Sequence, residues 1–85
     1  MKEFRVQVLI KPREGLLDPQ GKAVLNALHA LDFRELSDAR VGRLIRLRVS
    51  AADAAAARNR VTAMCQQLLA NPVTEDFTIE MEEQG

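Results

Sequence analysis

Cysteine, tyrosine and tryptophan are scarce. The 85-residue chain has one cysteine, one histidine, three phenylalanines and no other aromatic residue. A lone Cys65 excludes an internal disulfide and any paired-cysteine metal or redox motif. With so few aromatics, an RNA-recognition sheet that stacks bases on exposed rings has little to work with. Neither sign of charge prevails: twelve basic residues stand against twelve acidic ones. Electrostatics thus give no general pull toward nucleic acid or an anionic membrane. No apolar run approaches the ~20 residues needed to cross a bilayer, and the N-terminus lacks a signal-peptide core, so the expected location is the cytoplasm. Only four glycines are present, and Gly15 and Gly21 do not make a phosphate-cradling loop.

What is present reads as one domain, residues 1–85, without repeats, low-complexity tracts or linkers. Folding a chain this size would bury apolar surface worth on the order of 125 kcal/mol at ~25 cal/mol per Å². Ordering the residues at ~1.5 kcal/mol each costs about the same, so association with another chain is expected to supply part of the stability.

Phe4, Val6, Val8 and Ile10 alternate with Glu3, Arg5 and Gln7, the period-two pattern of a half-buried strand that Pro12 then stops. Asp18 and Pro19 start a helix, the aspartate capping orphan N–H groups and the proline sitting in the first turn. Val24, Leu28 and Leu31 give that helix an apolar stripe. Gly21 weakens the helix in which it sits, which suggests that another backbone approaches closely there. Residues 36–49 suggest a hairpin around Gly42, with a longer loop or a bulge keeping Ala39, Val41, Ile45 and Leu47 on one face. Ser50 with Asp53 resembles a capping box. Ala54, Ala57, Val61, Met64, Cys65 and Leu68 form the next helical stripe. Asn71 suits a left-handed closing position, and Pro72 cannot continue the helix. Val73, Phe77, Ile79 and Met81 alternate as a last strand. The order β-α-β-β-α-β predicts an α+β, ferredoxin-like fold: a four-stranded antiparallel sheet with two helices on one face. Its other face would carry Arg5, Gln7, Leu9, Leu44, Arg46 and Arg48, and needs water or a partner.

Catalytic chemistry is not legible. His29 lies at the margin of a helix stripe with no nucleophile or orienting acid beside it. Cys65 reads as a buried structural thiol, because soft metal sites need several thiolates. Lys11 and Arg13 after the first strand hint at an anion loop, but Glu14 intrudes. The acids Glu75, Asp76, Glu80, Glu82 and Glu83 read as a solvated strand and tail. No catalytic, cofactor-binding or metal-binding residue is expected. A regulatory ligand-binding domain and an RNA-binding domain on the same fold remain as alternatives.

Three stretches then carry a resemblance that spans nearly the whole chain: Leu17-Asp18-Pro19-Gln20-Gly21; Arg40-Val41-Gly42-Arg43; and Leu68-Leu69-Ala70-Asn71-Pro72-Val73 with Glu75-Asp76-Phe77. In that order they resemble the PurS family, the small subunit of phosphoribosylformylglycinamidine synthase. The resemblance implies a non-catalytic subunit in purine biosynthesis. Such a subunit forms homo-oligomers, dimer or tetramer, bridges a glutaminase subunit and a large synthetase subunit, and aids ammonia transfer. ATP and Mg would belong to the large subunit, with no cofactor on this chain. The expected interface residues are Asp18, Pro19, Gln20, Gly21, Arg40, Gly42, Asn71 and Pro72. Asp18, Pro19, Asn71 and Pro72 are explained as well by helix capping and termination as by an interface. Gln20, Gly21, Arg40 and Gly42 are harder to explain by folding. For self-association, the edge of the last strand is preferred, and packing through the open sheet face competes with it.

Overall fold

In the computed structural model, described over residues 1–84, the alternating N-terminal segment forms β1 (Lys2–Pro12). It is followed by α1 (Pro19–Ala30), β2 (Arg43–Ala51), α2 (Ala54–Met64) with a π-helical continuation (Cys65–Leu69), and β3 (Glu75–Gln84). Gly85, the last residue of the expected domain, lies outside the described residues.

The sheet has three strands in the order β2-β1-β3, both pairings antiparallel. The expected fourth strand is therefore corrected: residues 36–42 do not join the sheet, and there is no hairpin around Gly42. Removing the first hairpin strand from the anticipated strand order leaves the observed order, but only one of the two helices expected on the sheet face lies there. The reason lies in where the backbone groups of that segment go. The Leu36 carbonyl lies 2.8 Å from His29 Nε2 and accepts its proton, and the Val41 N–H donates to the Asp18 carboxylate at 3.0 Å. Both partners belong to α1 or its cap. Buried backbone groups must find partners, and here side chains replace a strand ladder.

The register puts Phe4, Val6, Val8 and Ile10 opposite Val49, Leu47, Ile45 and Arg43 on one side, and opposite Glu83, Met81, Ile79 and Phe77 on the other. The four β1 residues are buried, together with Val49, Ala51, Ala57, Val61, Cys65 and Ala70. α2 alone supplies the helical cover, packing on β2 and β3. Asp53, rather than Ser50, is its N-cap, accepting from the Ala56 N–H at 2.8 Å; Ser50 stays in β2. Past Met64 the helix widens, with the Ala70 N–H donating to the Cys65 carbonyl five residues back. This wider turn rotates the stripe: Cys65 and Ala70 stay buried, while Leu68, expected inside, is 83% exposed. Asn71 is not left-handed either. Its side chain instead accepts from the Val73 N–H at 2.9 Å, forming an Asx turn.

α1 makes almost no contact with the sheet, and Gly21 is its one buried residue. The long axis is 51 Å, against about 36 Å for an eleven-residue strand, so the chain extends beyond the end of its sheet. The radius of gyration is 16.4 Å, where a compact chain of this length would have about 12 Å. The accessible surface is 6257 Å², where about 5,000 Å² is usual. Val61→Ala should cost about 2 kcal/mol in urea unfolding through lost contacts and a cavity, whereas Leu68→Ser should stay within about 0.5 kcal/mol.

Candidate interface

The expected interface residues fall into two clusters at the end of the sheet where β1 finishes. The first is built on Asp18, which caps α1 through Oδ1, accepting from the Gly21 N–H at 3.0 Å, and holds Val41 through Oδ2. Its carboxyl is held below the usual aspartate range, first by the Gly21 and Val41 N–H groups and then by the nearby Arg40 cation. Pro19 and Gln20 continue the exposed first turn.

The close backbone approach expected at Gly21 is present, and it comes from the same chain. A side chain at position 21 would drive its Cβ into the Ala39 carbonyl oxygen. The same holds at Gly42, where the Ile10 carbonyl occupies the place of a Cβ. Neither glycine has positive φ, so the requirement is space, not backbone geometry. Arg40, exposed, donates to the Leu16 carbonyl at 3.3 Å and pairs with Asp38 at 3.5 Å.

The second cluster holds Asn71 and Pro72. Glu75 accepts from the Asn71 N–H at 2.8 Å and from the Arg43 guanidinium through both oxygens at 3.0 Å. These contacts, the Asn71 N–H first and Arg43 second, hold its carboxyl below the usual glutamate range. Arg43 also donates to the Leu69 carbonyl at 2.8 Å, fastening the widened end of α2 to the sheet. Arg13 donates to the Pro72 carbonyl, and its own N–H reaches the Thr74 carbonyl at 2.9 Å. The loop Asn71–Thr74 is therefore braced from three sides, and it presents Val73, 73% exposed. Gly42 and Arg43, adjacent in sequence, link the two clusters.

Arg43, Glu75 and Arg13 were not among the expected interface residues. The signal that could have found them is the register: Arg43 stands opposite Ile10, and Glu75 opposite Pro12, so only the central strand separates arginine from glutamate.

Among the described residues no group of three or more histidine, cysteine or acidic side chains could hold a metal ion. Cys65 is buried, and burial pushes its thiol up, away from the reactive thiolate. What the clusters do within the chain is fix backbone and leave side chains such as Gln20, Arg40 and Val73 exposed.

Residues 5–83 match the PurS family, described as phosphoribosylformylglycinamidine (FGAM) synthase. The chain is 40% identical over 83 residues to phosphoribosylformylglycinamidine synthase subunit PurS of Bacillus subtilis, covering 94% of each chain. Among solved structures it is similar to Methanocaldococcus jannaschii PurS, with a TM-score of 0.86 at 29% identity, covering 96% of this chain and 99% of that one. It is also similar to a chain of the PurLQS structure from Thermotoga maritima, with a TM-score of 0.85 at 28% identity, covering 99% and 100%.

Two outcomes follow from these clusters. Gly21→Ala should destabilise the fold by about 1–3 kcal/mol through overpacking against Ala39, although alanine is the better helix former; a thermal melt at or above wild type would contradict the packing. Asp18 and Glu75 have folded values below their unfolded ones. Their stabilisation is therefore complete above the ordinary carboxylate range of about 4 and disappears as pH falls through the lower folded values. Amide exchange at Val41 and Asn71 should accelerate over that acid window, and Asp18→Ala should remove the window at Val41.

Proposed function

The chain belongs to the PurS family of phosphoribosylformylglycinamidine synthase subunits, and from that premise we propose how it serves that enzyme in purine biosynthesis. It acts as a non-catalytic bridge, docking a glutaminase subunit and a large synthetase subunit so that ammonia passes between them. ATP and Mg act on the large subunit, whose chemistry needs nothing from this chain beyond position. Its place of work is the cytoplasm; no helix among the described residues is long and apolar enough to cross a membrane.

The observation that supports a docking role most directly is the uncovered apolar face of α1. Val24 is 41% exposed and Leu31 68% exposed, and Phe33 beyond the helix is uncovered too. An amphipathic helix normally buries such a stripe. The surface in excess of a compact chain, over 1,000 Å² when about 5,000 Å² is subtracted from 6257 Å², exceeds the ~800 Å² per partner of a standard interface. A second copy of the chain covers this face, and the exposed side chains beside the first cluster, Gln20 and Arg40, border it. The interface set Asp18, Pro19, Gln20, Gly21, Arg40, Gly42, Asn71 and Pro72 then divides by task. The two glycines, Asp18 and Asn71 hold backbone in place, and Gln20 and Arg40, with Pro19 and Pro72, meet the neighbouring chains.

Reconstitution tests the bridging role. With all three subunits present, glutamine should support amidine formation; without this chain, turnover with free ammonia should persist and turnover with glutamine should fall. Turnover by this chain alone, or glutamine-dependent turnover that ignores its omission, would sink the reading. For the helix face, the paired change Val24→Glu and Leu31→Glu should lower the solution mass of the purified chain in light scattering, and an unchanged mass would contradict a helix-mediated contact.

A further inference from the structure

The buried core and the apolar side chains packed on it come from residues 4–10 and 45–81; among the described residues, none from 14–42 takes part. β1 and β2 are antiparallel neighbours whose pairing runs up to Ile10 and Arg43, and strands so placed need only about two to five linking residues. Here the link is α1 with its flanks, a long arm set between two adjacent strands. Between Arg13 and Arg43 the one buried residue is Gly21, and the backbone packed against it, at Ala39, belongs to the same arm. The side-chain bonds that hold the arm also run within it. Asp18 accepts from the Val41 N–H and Arg40 donates to the Leu16 carbonyl at its base, while His29 donates to the Leu36 carbonyl near the end of α1. The sheet and α2 are fastened right up to both ends of the arm: Arg13 donates through its N–H to Thr74, and Arg43 is tied to Leu69 and Glu75. α1 has twelve residues, and a helix of fewer than ~12–15 is marginal in water without tertiary support.

We propose that residues 14–42 open and close as one unit on a body of β1, β2, α2 and β3 that stays folded, and that a chain docked on α1 holds the unit closed. Asp18 and His29 each join the helix to the segment that returns beside it, at opposite ends, so loss of either frees both. Opening uncovers none of the apolar core, whereas unfolding the body exposes all of it, so the arm opens at lower free energy than the body. The docking half rests on the reading above that α1 carries a contact; the separate unit does not. Where docking requires the closed arm, apparent affinity falls by the fraction of chains that are closed, and the Asp18 and His29 latches therefore set how tightly α1 is held.

Native-state hydrogen exchange on the full chain in low urea tests this. In wild type the amides of Leu25, Leu28, Phe33 and Val41 should share one opening equilibrium and one urea dependence, both smaller than those of Val6 and Val8 in β1. Val61→Ala, in the body, should speed Val6 and Val8 about thirtyfold and leave the four arm amides unchanged, because arm opening does not expose position 61. Asp18→Asn and His29→Ala should each speed all four arm amides by a common factor, at least about fivefold for a lost hydrogen bond. The paired change Val24→Glu and Leu31→Glu leaves both latches in place and should speed the same amides as its solution mass falls. Arm amides that follow Val61→Ala as far as β1 does would reveal a single cooperative fold and overturn the proposal. So would an Asp18→Asn effect confined to Val41, or a His29→Ala effect confined to the last turn of α1. A fall in mass with no change at the arm amides overturns the docking half. If the mass holds while the other three variants behave as expected, the α1 contact fails and the docking half with it, and the separate unit stands.

Discussion

One strand sets the terms for everything else. β1 is paired along both edges, with β2 from the Lys2–Ala51 pair to Ile10–Arg43 and with β3 from Glu3–Gln84 to Pro12–Glu75. Its face of Phe4, Val6, Val8 and Ile10 is sealed by α2 and the flanking strands. The hydrophobic effect acts on area removed from water, and a single helix suffices to cover a three-stranded sheet. With that helix in place, this face of the sheet has no room for a second one. The exposure of α1 is therefore a consequence of the sheet's width.

The width in turn follows from a competition over backbone hydrogen bonds. Residues 36–42 could have added a strand at the β2 edge. Instead Asp18 and His29 take the Val41 N–H and the Leu36 carbonyl. The same carboxylate also caps α1, so one side chain both starts the helix and diverts the segment that follows it. Gly21 and Gly42 make this possible by leaving room for the Ala39 and Ile10 carbonyls. A larger residue at either position would separate backbones that the arrangement needs in contact.

The far cluster solves a related problem at the end of α2. A helix end leaves carbonyls without partners, and Arg43 reaches from the sheet to supply one, while its bidentate pairing with Glu75 orients it. The outcome is a loop held rigidly with Leu68 and Val73 turned outward. A loop ordered in this way would lose little entropy on binding, which is compatible with a subunit of the FGAM synthase family.

Local pattern was enough for the elements that depend on neighbours in sequence. The alternation of β1 and of residues 75–84, the Asp18–Pro19 helix start, the inward set Ile45, Leu47 and Val49, and the buried Cys65 all follow from side-chain periodicity and capping, which act over a few residues. So did the close approach at Gly21, a glycine that weakens its own helix, although the approaching backbone is the chain's own. The fourth strand was the chief error, because Ala39 and Val41 alternate as a strand would while the Asp18 carboxylate that claims the Val41 N–H lies 23 residues away. Leu68 was misplaced because a widened helical turn leaves no mark in a 3.6-residue pattern. The Arg43–Glu75 link was invisible because strand register, not sequence spacing, brings those charges together. The amino-acid order settled which faces are apolar; only the packed chain decided which of those faces found cover within it, since burial is shared among all elements at once.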